Sequence, residues 1–261
     1  MLPHASRISD DILAFALPAE GNSFAELSES ARLEDVGKGR RGAVLARIDE
    51  ASGGVPLVRT TTQYGSPTQP FRAVHERLAR RIQERAALSV GFNNALMEIY
   101  TSAYTTMGSH SDQALDLADE SFIAVFSCYR NPEAGPPRKL VFASKESGGE
   151  KFEIPLAHHG VVAFSVDSNR RLKHKIVLDA PGRAAADNQW LGVTFRTSKT
   201  FVRFHDGHAH LPQGALLVSA DEEQRREFHQ LRRRENRETD FAYPPLTYTV
   251  SESDLMPPVG P

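Results

Sequence analysis

The chain has 261 residues, 40% hydrophobic and 25% charged, which fits a globular protein of one large domain or two small ones. Its net charge of -2, with acids and bases balanced over the first hundred residues, shows none of the basic excess usual in phosphate-gripping nucleic-acid binders. No apolar run reaches the roughly 18 residues of a membrane span, the start MLPHASRISDD lacks a signal-peptide pattern, and the single Cys128 excludes an internal disulfide, so the expected location is cytoplasmic.

Residues 1–54 read as an extension packed on a core. Ser23 to Ala31 suits a short helix, and GKGRRG (37–42) reads as a solvated glycine turn without a complete P-loop pattern. Pro56 to Gly65 is β-branched and ends on glycine, which predicts a strand. In Pro70 to Leu88, the apolar residues Phe71, Val74, Leu78 and Ile82 make one helical stripe, with arginines on the opposite, solvated side.

From Ala95 to Phe204 short strands alternate with turns: 96–100, 121–129, 138–144, 151–156, 160–166, 174–178 and 190–197. Strands at this spacing without intervening helices predict an antiparallel barrel or sandwich. His158 and His159 read as turn residues before Gly160. Beyond Phe204 the composition shifts. Ser219 with Glu222 forms a capping-box signature for a charged surface helix. The prolines of the last stretch leave room for one strand. The expected organisation is a core domain over 55–205, with 206–261 a helical extension of the same domain.

Within this strand map His110-Ser111-Asp112 precedes an apolar strand, and His174 opens a later one. An i, i+2 pair shares a face when extended. Two imidazoles and a carboxylate are the ligand set of non-haem Fe(II) oxygenases, which leave metal positions open for co-substrate and O2. The mouth of a barrel suits such a pocket. Arg196 stands in the apolar strand WLGVTFRT, where a charge is costly unless paired. A guanidinium there matches a carboxylate through two hydrogen bonds, as a dicarboxylate co-substrate requires.

VRTTTQYG (58–65), FNNALMEIY (92–100), HSD (110–112), SFIAVFSCY (121–129), LAHHGVVAFSVDSNRRLKHKIV (156–177) and VTFR (193–196) together resemble the AlkB-like Fe(II)/2-oxoglutarate dioxygenases across 55–205. The resemblance implies a mainly β (α+β) fold, a double-stranded β-helix or jelly-roll core with flanking helices. It implies iron ligation by His110, Asp112 and His174, and 2-oxoglutarate binding by Arg196 and Tyr100. It also implies consumption of 2-oxoglutarate and O2 with release of succinate and CO2 as a substrate C–H bond is oxidised. Asp112 points to hydroxylation or a related oxidation, since the related halogenases carry Gly or Ala in its place.

The departures concern the substrate. The family's closing strand reads Arg-x-Asn-x-Thr-x-Arg; here Trp190 replaces the first arginine and Gly192 the asparagine. Arg196 then acts alone, or Arg183 shares the co-substrate. Glu98 stands where the family often has Asn, so it turns towards substrate. Ala114 stands where base-repairing members carry an acid, with Asp116 close by. Tyr64 and Phe71 are candidates for a lid over the site.

The expected function is oxidation of a small molecule such as an amino acid, a nucleoside or a natural-product intermediate. The alternative is an AlkB-type oxidative dealkylase of nucleic acid or nucleotides, and a third reading is a non-catalytic barrel. No membrane partner is expected, and nothing sets an oligomeric state.

Overall fold

Alternation with period two organises the centre of the chain, because successive strand residues point to opposite faces. In the computed structural model, residues 6–9, 11–18, 21–179 and 188–259 are described. The strands are β1 (Ser6–Ser9), β2 (Ile12–Ala16), β3 (Glu34–Gly37), β4 (Arg40–Ala46), β5 (Val55–Leu57), β6 (Gln69–Pro70), β7 (Asn94–Tyr100) and β8 (Phe122–Tyr129). They continue with β9 (Lys139–Ser144), β10 (Lys151–Pro155), β11 (Gly160–Ser165), β12 (Leu172–Val177) and β13 (Trp190–Arg196). The short strands β14 (Thr200–His205), β15 (His208–His210), β16 (Val218–Ser219) and β17 (Tyr248–Thr249) follow. The helices are α1 (Ser23–Ser30), α2 (Ala73–Ala86), α3 (Val166–Arg171) and α4 (Glu222–Glu235).

The fold is mainly β, a jelly-roll sandwich. The large sheet runs β1-β2-β11-β8-β13-β7-β4-β3, with β6 joined to β4. The smaller sheet β10-β9-β12 faces it. Both are antiparallel apart from the β4–β6 pair. On the outer face of the large sheet, Met97, Ile99, Phe126, Val193 and Phe195 bury against α1 and α2 through Leu27, Leu78 and Ile82. On the inner face, Tyr100, Val125, Tyr129 and Trp190 meet Leu140, Phe142 and Ile176 of the small sheet. Each large apolar side chain fully buried in this way contributes about 1.5–3 kcal/mol.

The stripe predicted over 70–88 forms α2, which packs Leu78, Ala79 and Ile82 inward. His75 joins α2 to α1: its Nδ1 accepts from the Arg72 amide at 3.0 Å, and its Nε2 meets Ser30 Oγ at 2.7 Å. Burial, then the Arg72 charge, lowers its pKa to about 4. The helix stops where Ala87 adopts a left-handed φ of 52°.

Two expectations shift. The strand expected over Pro56–Gly65 is confined to β5, because the following backbone is drawn off by tertiary bonds. Arg59 turns inward to Asp116, and the Tyr64 amide donates to Ser251 Oγ at 2.9 Å. The last helix is capped by Asp221 with Gln224, not by Ser219 with Glu222. Of GKGRRG, read as a solvated turn, only Lys38 and Gly39 lie between β3 and β4, with positive φ at Gly37, Lys38 and Gly39, and Arg40 to Gly42 already belong to β4. No described helix is long and apolar enough to cross a membrane.

Candidate metal and co-substrate site

His110 and His174, distant in sequence, are direct cross-strand partners. The His110 amide donates to the His174 carbonyl at 2.9 Å, and the His174 amide returns a bond at 2.6 Å. Such a pair places both side chains on one face, and their ring centroids lie 4.7 Å apart. Asp112, two residues on, brings Oδ1 to 3.6 Å from His110 Nε2 and 3.5 Å from His174 Nε2. The candidate ligand atoms of all three lie within 4.8 Å of one another. A shared ion about 2.1 Å from each donor requires donors about 3.0–3.4 Å apart, so the two Asp112–histidine separations are within a few tenths of an ångström of that range.

The donor set is prepared for a cation. His110 Nδ1 lies 2.8 Å from the Gly108 carbonyl, so it donates its proton there and leaves the Nε2 lone pair towards Asp112. Burial lowers the pKa of His174 and favours its neutral, ligating form. Burial opposes ionisation of Asp112, but Arg196 and then the two imidazoles outweigh it and hold the carboxyl well below the usual range. Two carboxylate-directed bonds run from Arg196, Nε at 2.8 Å and Nη2 at 2.7 Å, both to Asp112 Oδ2. Arg196 is 6% exposed, so this pairing is what makes its burial tolerable.

The cluster opens on a cavity of about 290 Å³ between the two sheets. Tyr100, Glu98, Trp190 and Arg40 form its far wall. The Tyr100 hydroxyl donates to Glu98 Oε2 at 2.7 Å, and Arg40 Nη1 reaches Glu98 Oε1 at 3.5 Å. Burial, then the Glu98 carboxylate, pushes the Tyr100 phenol well up and keeps it a donor. The Trp190 ring is tilted against Tyr100 with ring centroids 4.7 Å apart and lies across Gly192. A Cβ at Gly192 would sit 2.5 and 2.7 Å from Trp190 Cζ2 and Cζ3, and closer still to Cη2. The tryptophan therefore requires the glycine, and the two departures in this strand are one coupled change.

The candidate substrate residues separate. Glu98 and Trp190 line the cavity. Tyr64 touches its wall through a 3.4 Å bond to Glu98. Ala114 and Asp116 do not line it. Asp116 is fully buried against Arg59, whose Nη2 and Nε donate at 2.8 and 3.0 Å. Phe71 packs on the outer core against Phe195, on the side of the sheet away from the cavity. Arg183 lies outside the described residues.

Four participants went unread in the sequence. Arg40 looked like part of a solvated turn, although alternation along β4 puts it opposite Tyr100. Asn169 sits on the six-residue α3, too short for a helical period to show. Arg232 and Asn236 come from the charged carboxy-terminal segment.

No protein-family model matches the chain, and no curated protein matches it. Among solved structures, that of OsALKBH1 is similar with a TM-score of 0.49 and 14% identity, covering 74% of this chain and 99% of that one. A likeness of that size assigns neither family nor activity.

Proposed function

We propose that the protein is an Fe(II)- and 2-oxoglutarate-dependent oxygenase. The observation that carries this reading is the convergence of His110, Asp112 and His174 at one end of a cavity lined by two further guanidiniums, Arg40 and Arg232. His110 Nε2, His174 Nε2 and an Asp112 carboxylate oxygen would hold the iron. Bound there with 2-oxoglutarate and O2, iron supplies the oxidant for a substrate C–H bond. Arg196 fixes the orientation of Asp112. The cavity walls carry Arg40, Arg196 and Arg232 against Glu98 and Asp112, an excess of positive charge that suits an anionic co-substrate. At the far wall, Arg40 Nε and Trp190 Nε1 are buried donors without a hydrogen-bond acceptor. They are our candidates for the distal carboxylate, in the region where the family's arginine is missing, with Tyr100 beside them.

For the substrate we favour oxidative dealkylation of nucleotides or single-stranded nucleic acid. Arg232 lines the cavity, and the exposed Arg233 and Arg237 follow it in sequence, cations that suit phosphates, while Arg234 is engaged by Glu238. Ala114 does not face the cavity, so the missing acid there carries no weight against this substrate. Oxidation of a small molecule is the second reading, supported by the near-neutral net charge. The test is succinate formation by the Fe(II)-loaded protein with 2-oxoglutarate and O2. Stimulation by alkylated single-stranded oligonucleotides is expected. Stimulation only by small metabolites selects the second reading, and no succinate under any condition rejects both.

A further inference from the structure

The loop that carries Asp112 is held by side chains from outside the sandwich. Asn169 of α3 clasps Asp112 itself: its Oδ1 accepts from the Asp112 amide at 2.8 Å, and its Nδ2 donates to the Asp112 carbonyl at 2.7 Å. The end of α4 takes the amides on either side. Asn236 Oδ1 accepts from Ser111 N at 2.7 Å, and Glu235 Oε1 accepts from Ala114 N at 2.8 Å.

These acceptors are themselves fixed. Glu235 is 4% exposed, and its other oxygen accepts from the Tyr243 hydroxyl at 2.6 Å. Lys145 donates to the Glu235 carbonyl at 2.5 Å and to the Glu238 carbonyl at 3.1 Å, so it caps the helix end. The helix is seated by Phe228 and Leu231 against Leu246, Tyr248 and Val250. A surface helix needs none of these bonds to bury its apolar stripe. The common target of the Asn169, Asn236 and Glu235 side chains is the backbone of Ser111 to Ala114.

We propose that Asn236 and Glu235, with Asn169, are positioning residues that pre-set the Asp112 carboxylate for a divalent cation, which makes the carboxy-terminal helix part of the metal site. This rests on the reading of His110, Asp112 and His174 as metal ligands. Outer partners of metal ligands typically govern affinity by 10- to 100-fold. With Asn236 gone, the Ser111 amide loses its acceptor and the loop gains freedom beside both His110 and Asp112.

The test is Co(II) titration of the full chain, read by visible absorption, for wild type, Asn236→Ala, Asn236→Asp and His174→Ala. Wild type is expected to bind one equivalent and His174→Ala to lose the spectrum. Asn236→Ala is expected to bind about 10- to 100-fold more weakly with an altered band shape, while its thermal midpoint stays near wild type. Asn236→Asp keeps an acceptor and should stay within about threefold of wild type. Equal Co(II) affinity in Asn236→Ala and wild type overturns the positioning role and leaves the metal site standing. Equal weakening in Asn236→Ala and Asn236→Asp also overturns it. If wild type binds no Co(II), the metal reading fails and this inference falls with it. Should Asn236→Ala not fold, hydrogen exchange on the metal-free wild type decides: slow exchange at Ser111 and Ala114 is expected, and rapid exchange at both contradicts pre-setting.

Discussion

Replacing Gly192 with alanine should destabilise the protein only while Trp190 is present. The added Cβ would lie 2.5–2.7 Å from two carbons of the indole and closer still to Cη2, against about 3.5–4.0 Å for relaxed carbon contact, so the ring must recede by more than an ångström. Trp190 is 2% exposed and wedged beside Tyr100, so the ring can recede only by giving up that contact and moving into the cavity it lines. Overpacking of this kind costs about 1–3 kcal/mol. Without the ring the sign reverses: Gly192 has no positive φ, and alanine in a strand gains about 0.5–1 kcal/mol by restricting the unfolded chain. A cycle of Gly192→Ala, Trp190→Ala and the double variant should therefore show a coupling of roughly 1.5–4 kcal/mol, larger than the few tenths expected of independent sites. Urea unfolding followed by circular dichroism gives the energies. Trp190 is the only tryptophan in the chain, so its fluorescence in Gly192→Ala also reports the displaced ring. Equal effects of Gly192→Ala in both backgrounds would refute the argument that the two departures are coupled.

Asp116→Ala should cost about 3–5 kcal/mol, because it leaves the Arg59 guanidinium buried without its carboxylate. Calorimetry checks this, and a loss below about 1 kcal/mol would return Asp116 to the substrate-contacting role expected from its place beside Ala114. Burial raises the Asp254 carboxyl from 3.8 to about 7. The folded state then binds more protons than the unfolded one between those values, so stability falls as pH rises through about 4 to 7, by up to roughly 4 kcal/mol. Asn at position 254 should remove that slope, and an unchanged difference between wild type and Asp254→Asn from pH 4.5 to 7.5 contradicts it. His75 has the opposite sense. Its pKa is lowered from 6.5 to about 4, so its contribution is present above 6.5 and declines as pH falls towards 4. His75→Gln should flatten the acid side of the melting profile, and an acid limb as steep as in wild type would count against the buried, neutral His75.

The strands of the sandwich and α2 are legible from alternation and from a stripe at helical spacing, since burial on one face imposes those periods directly. Long-range pairing is not. That His110 and His174 exchange backbone bonds depends on how the segment from Thr106 to His110 lies along β12, which no local pattern records. The threonine-rich run after β5 has strand propensity, yet the buried Arg59–Asp116 pair and the Ser251 hydroxyl pull it out of the sheet. The same limit hid Arg40, whose glycine-rich surroundings suggested solvent. It also hid Asn236, whose charged helix looked independent of the core. Charged segments are informative about exposure over most of their length, and α4 departs from that at its last turn only.

The most direct measurement of the central claim is anaerobic addition of Fe(II) and 2-oxoglutarate to wild type, His174→Ala and Asp112→Ala, read by the visible charge-transfer absorption of Fe(II) chelated by a 2-oxo acid. A band that saturates at one iron per chain is expected in wild type and is lost in both variants, each still folded by circular dichroism. A wild type that develops no band, or a band that survives in His174→Ala, would contradict the assignment of His110, Asp112 and His174 as the iron site.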